Sequence, residues 1–161
     1  MVERARNQAG QPQNARPRDA LGRLLPAGSP GVPRIPDDLE LSPAESLACA
    51  QDLLNRGLAF NAHEVLEAAW KNGPAEERAL WQGLAQLAVG ITHVQRGNLA
   101  GATTLLERGS GRLREVSQPA PHDVNVAGLL DWAAALVDTL AAGTEIESPR
   151  LHPTLTQPAA L

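Results

Sequence analysis

The sequence is short of most of the residues on which recognisable chemistry is usually built. It has one cysteine, one methionine, one phenylalanine and no tyrosine in 161 residues. A single Cys49 cannot close an internal disulfide or form a paired-cysteine zinc or redox motif. With no basic and apolar leader at the start of the text, that scarcity sets the expectation of a reducing cytoplasm. Its place on an apolar helical face makes Cys49 a core residue rather than a nucleophile. Long apolar runs are also missing. The longest stretch without a formal charge, Ala79 to Gln95, is short for a bilayer span and is interrupted by Gln82, Gln86 and His93. It is expected to be a buried helix, with no membrane partner. Phosphate-cradling loops and dinucleotide fingerprints are absent too.

Charge is unevenly spread. Residues 1–36 carry six arginines against Glu3 and Asp19, while the remainder holds eight basic and sixteen acidic residues. An acidic folded part disfavours nucleic acid as a partner. Prolines 12, 17, 26, 30, 33 and 36 break any helix in the opening segment, so residues 1–41 are expected to form an extended, partly ordered Pro/Arg-rich arm. Residues 42–143 should be the helical domain and residues 144–161, with three prolines, a tail.

Helical text begins at Ser42, where Ser42, Pro43 and Glu45 make a capping box. The first helix stops at Gly57. Asn61 followed by Glu64 repeats the capping arrangement and predicts a second helix from there to Asn72-Gly73, with Pro74 opening a third. Leu80, Leu84, Leu87, Ile91 and Val94 recur at spacings of four and three, which makes that third helix apolar around most of its circumference and places it centrally. A fourth amphipathic helix follows Gly97-Asn98, weakened by Gly109 and Gly111. The fifth runs from about Asp123 to Ala142. The fold class is therefore all-α, an antiparallel array of about five helices. At a spacing of forty residues, Arg56-Gly57, Ala62, Leu66 and Glu67 recur as Arg96-Gly97, Ala102, Leu106 and Glu107, which suggests two related helical hairpins.

One polar constellation stands out. His63 and Glu67 lie four apart and share a face of the second helix. Gln82, Gln86 and His93 form one stripe on the third, where buried polar groups need partners. His63-Glu64-x-x-Glu67 differs from the zincin pattern only in its last member. His63, Glu67 and His93 are thus candidate ligands for one divalent metal (zinc, iron or manganese), with Glu64 as general base. Each has a plainer account. Glu64 sits where a capping box puts its acid, Glu67 precedes Lys71 by four as in a surface ion pair, and His93 could donate to a carboxylate as a core histidine. The corresponding alternatives are a metal-dependent hydrolase, a non-catalytic helical interaction module with a structural His/Glu/Gln network, and ligand binding without chemistry. His122 and His152, in loop and tail, are weaker candidate ligands. Arg108, Arg112 and Arg114 are more simply a solvated face than an anion patch. The three tryptophans fit core or interface anchors, and a second copy of the chain or another protein is the expected macromolecular partner.

Phe60 to Trp70, then Trp81 to Ala88 with His93 and Arg96-Gly97-Asn98, and on to Gly101-Ala102, resemble domain-of-unknown-function family 309 over about residues 43–116. The resemblance implies a small all-helical protein of a kind sometimes labelled a predicted metal-dependent hydrolase, and it transfers no substrate. The positions it singles out are His63, Glu64, Glu67, Trp70, Gln82, Gln86 and His93, with Trp70, Gln82 and Gln86 as candidate ligand-binding residues. The arm and the fifth helix lie outside the shared motifs.

Overall fold

The computed structural model describes residues 18–25, 31 and 40–157. The rest of the arm and the last four residues lie outside the described residues. Five α-helices follow in order: α1 (Pro43–Asn55), α2 (Ala59–Asn72), α3 (Arg78–Gln95), α4 (Leu99–Arg114) and α5 (Val126–Ala141). The fold is all-α, as the periodicity indicates. Every substantial helix contact joins sequence neighbours, so the helices form a stacked array with α3 at its centre between α2 and α4. No helix among the described residues is long and apolar enough to cross a membrane.

The capping box on α1 is present in both directions. Glu45 N donates to Ser42 Oγ at 3.1 Å and Ser42 N donates to Glu45 Oε1 at 3.0 Å. The two inter-helix turns preceding α2 and α4 are the same structure. Gly57 and Gly97 adopt φ of 78° and 77°, a conformation that costs a residue with a Cβ about 1 kcal/mol or more. In one turn Gly57 N bonds Leu54 O and Leu58 N bonds Leu53 O; in the other Gly97 N bonds Val94 O and Asn98 N bonds His93 O. Both are Schellman closures. Ala62 and Ala102, and Leu66 and Leu106, are likewise all fully buried. The forty-residue echo in the sequence therefore marks a structural repeat of helical hairpins.

The second capping arrangement does not form. α2 begins at Ala59 with Leu58 at its N-cap and no side-chain cap, while Asn61 is buried inside the helix, 3% exposed. The reason lies in the preceding turn: the Schellman closure leaves Leu58 already positioned to start a helix, two residues before Asn61. Nor does Pro74 open α3 directly. It leads into a single 3-10 turn, Ala75–Glu77, and the α-helix starts at Arg78.

Gly109 is less a weak point of α4 than its closest approach to α3. A Cβ there would lie 2.9 Å from Gly83 O and 2.9 Å from Leu87 Cδ2. Beyond α5 the chain turns back and packs. Trp132 Nε1 donates to Arg150 O at 2.8 Å, and Gln51 of α1 donates through Nε2 to Pro153 O at 2.9 Å while its Oε1 accepts from Leu155 N at 2.8 Å. Leu155 is buried in the core and Asn125 N donates to its carbonyl. Residues 150–157 thereby tie α5 back to α1.

Residues 18–25 form a compact turn against the end of the α2–α3 hairpin. Arg96 Nε donates to Leu21 O at 2.8 Å, and the Arg18 guanidinium lies 4.8 Å from the centre of the Phe60 ring. Phe60 in turn stands beside His63, ring centres 5.1 Å apart.

Candidate functional site

The i, i+4 spacing on α2 brings His63 and Glu67 together. His63 Nε2 is 2.8 Å from Glu67 Oε2, and His63 Nδ1 is 3.0 Å from the carbonyl oxygen of Phe60. A carbonyl only accepts, so Nδ1 carries a proton. An ionised carboxylate also only accepts, so Nε2 donates to Glu67 whenever the ring carries a proton there. The other carboxylate oxygen, Glu67 Oε1, takes Lys71 Nζ at 2.9 Å. The His63 hydrogen bond is the main cause holding the Glu67 carboxyl at about 2; burial opposes it and Lys71 assists. His63, Glu67 and Lys71 thus form a chain along one helix face in which both imidazole nitrogens and both carboxylate oxygens are used.

His93 belongs to a different arrangement. It sits in the last turn of α3, where its Nδ1 accepts from Asn98 Nδ2 at 3.2 Å, while Asn98 Oδ1 accepts from Gly101 N and so caps α4. Burial, and then the Arg96 guanidinium, push the His93 imidazole below its ordinary value, which favours the neutral ring that this contact needs. His93 braces the turn between α3 and α4.

Of the remaining positions, Glu64 and Trp70 are half-buried on α2, and Gln82 and Gln86 are half-buried on α3. Gln86 Oε1 is buried and meets no donor among the described residues. Trp70 borders a shallow depression with Lys71, Pro74 and Arg78. Arg108, Arg112 and Arg114 are exposed. Cys49 is half-buried against the core, and burial raises its thiol, followed by the nearby Asp52.

A bound metal requires lone pairs converging from three or more protein ligands. Fixing Nδ1–H on a carbonyl is how metal-bound histidines are also held. Here, however, the donor set stops at His63 and Glu67. No group of three or more His, Cys, Asp or Glu side chains suited to a metal ion occurs among the described residues. Among the described residues, His63 and Glu67 alone do not complete a zinc, iron or manganese seat.

The matched region of the chain can now be placed on this geometry. Residues 47–105 match the family model for a domain of unknown function, DUF309. A stretch of 68 residues is 38% identical to the uncharacterized protein YpuF of Bacillus subtilis (strain 168), covering 42% of this chain and 38% of that one. The match therefore spans less than half the length of this curated relative. No solved structure matches the chain. The DUF309 segment takes in most of α1, all of α2 and α3 and the first half of α4, so it contains His63, Glu64, Glu67, Trp70, Gln82, Gln86 and His93. α5 and the returning residues 150–157 fall outside it.

A second polar cluster escaped the sequence reading. Glu77 Oε1 accepts from Trp81 Nε1 at 3.0 Å and from His122 Nε2 at 2.8 Å, so the turn before α3 is tied to the loop before α5. His122 holds φ at 60° to reach it. The Glu77–Trp81 spacing of four was a usable signal; the separation of 45 residues between Glu77 and His122 offered none.

Proposed function

We propose that the protein is a non-catalytic helical interaction module in which the His63–Glu67–Lys71 chain is a structural brace of α2. The observation that carries this reading is that the α2 groups able to ligate are already engaged with each other: His63 Nε2 meets Glu67 Oε2, and Glu67 spends its second oxygen on Lys71. Groups engaged in this way hold a helix together; they do not stand ready for a metal or a substrate proton. The architecture agrees. Repeated hairpins with closely similar turns, packed mainly on their sequence neighbours, are how helical-repeat proteins generate surfaces for other macromolecules.

The test is elemental mass spectrometry on untagged protein, purified without chelator and re-exposed to zinc, iron(II) and manganese, alongside a His63→Ala variant. The expected result is no stoichiometric metal in either protein, with the variant destabilised by about 1–3 kcal/mol through the groups left unpaired. Near-stoichiometric metal in the parent and none in the variant would overturn the proposal and restore the hydrolase reading.

A further inference from the structure

Between α1 and the C-terminal half of α2 lies a cavity of about 280 Å³ that has no connection with the His63 chain. Leu41, Pro43, Val65, Ala68 and Trp81 make its walls apolar, and Glu40 and Glu77 are its two ionisable lining residues. Among the described residues, no Lys or Arg lines it. At about 30 Å³ per water molecule the space holds roughly nine waters, so it suits a compact molecule of about that many non-hydrogen atoms.

Glu77 is held in an unusual way for a carboxylate. Its donors, Trp81 Nε1 and His122 Nε2, both go to Oε1, and Oε2 has no donor among the described residues. The side chain is only 18% exposed. Burial works against its ionisation, yet the bonds from His122 and Trp81 outweigh burial and keep the carboxyl below its ordinary value. The result is a fixed anionic group, oriented by two elements and short of one donor, at the edge of an apolar space. Carboxylates placed in this way strengthen a charge-assisted hydrogen bond from a cation because little rearrangement is needed on binding.

We propose that this cavity binds a small organic ammonium ion, with the apolar body against Val65, Ala68 and Trp81 and the N–H donors on Glu77 Oε2, Glu40 contributing the remaining negative charge. The occupant is committed by charge and size together: apolar walls alone would take any small hydrocarbon, whereas two carboxylates against the single imidazole of His122, with no Lys or Arg among the described lining residues, favour a cation. The inference is independent of the brace assigned to His63.

Benzylammonium is a suitable probe, with benzyl alcohol as its neutral counterpart of nearly the same shape. Binding to the full chain would be followed by titration calorimetry, with intrinsic tryptophan fluorescence as a second readout. The expected Kd for benzylammonium is about 1 mM or tighter, with benzyl alcohol about tenfold or more weaker. Glu77→Gln keeps an acceptor for Trp81 and His122 but removes the charge. It should weaken benzylammonium about tenfold and leave benzyl alcohol unchanged. Glu40→Gln, at an exposed position, should weaken benzylammonium by a smaller factor. Ala69→Leu, which fills the cavity, should abolish binding of both while circular dichroism reports an intact helical fold. Absence of binding by the parent, equal affinity for amine and alcohol, or an unchanged affinity in Glu77→Gln would each overturn the proposal.

Discussion

Replacing Glu67 by glutamine tests the brace on α2 most directly, because it removes a charge and keeps a hydrogen-bond acceptor of the same shape. The Glu67 carboxyl is held at about 2, against an ordinary 4.5, chiefly by the hydrogen bond from His63. A tenfold change in proton affinity is worth about 1.4 kcal/mol, so a fully shielded group would contribute roughly 3 kcal/mol. The side chain is 35% exposed, and solvent screening at that exposure brings the expectation down to about 1–2 kcal/mol. Lys71, half exposed on the other oxygen, adds little. A carboxyl whose folded-state value lies below its unfolded value stabilises the fold in full above the unfolded value and loses that contribution as pH falls through the folded one. The parent should therefore exceed Glu67→Gln in urea denaturation by about 1–2 kcal/mol at about pH 6, and the gap should close between about pH 4.5 and about pH 2. A gap that is constant across this range would mean that the loss is one of packing, not charge. Equal stabilities at about pH 6 would refute the brace altogether.

Two other consequences concern the packing that surrounds this helix. Gly109→Ala forces a Cβ to within 2.9 Å of the Gly83 carbonyl and should cost about 1–3 kcal/mol by thermal or urea denaturation. Gly111→Ala, two residues on with nothing within 4 Å, should instead stabilise by about 0.5–1 kcal/mol; a matching loss at both positions would show that close helix contact is not the cause. Gln51→Ala removes the two bonds that hold residues 153 and 155 to α1 and should cost about 1–2 kcal/mol. Hydrogen exchange at Leu155 and Gln157 should accelerate while the amides of α3 stay protected, and uniform acceleration would show that this segment does not open separately.

Particular residues show which parts of this structure were legible in the sequence. Ser42, Pro43 and Glu45 announced the start of α1, and the apolar circumference of Leu80 to Val94 announced the central place of α3, because capping and burial are local or periodic properties. The same local logic misplaced the start of α2. Asn61 and Glu64 have the spacing of a capping box, but the Gly57 turn had already delivered the chain into helical geometry at Leu58. The Glu77–His122 contact and the return of residues 150–157 onto α1 join positions far apart in sequence, and no periodicity reports on them. At the candidate site, the meeting of His63 with Glu67 followed from their spacing. Whether that meeting serves a metal or a hydrogen bond did not, since an i, i+4 histidine and glutamate look alike in both cases.

The two hairpins supply an internal control for the function of the His63 chain. α4 has Asn98 at its N-cap, with Oδ1 accepting from Gly101 N, and at the positions forty residues beyond His63, Glu67 and Lys71 it has Thr103, Glu107 and Gly111. α2 has Leu58 at its N-cap with no side-chain cap, and it alone of the two has the chain from Phe60 O through His63 and Glu67 to Lys71. A missing cap costs a helix about 1 kcal/mol, and a half-buried charge-assisted pair of this geometry contributes on the same scale. The hairpin with the cap lacks the chain, and the hairpin with the chain lacks the cap. That exchange is what a structural brace predicts, whereas a catalytic role for His63 and Glu67 gives no reason for their presence to track the capping of their own helix.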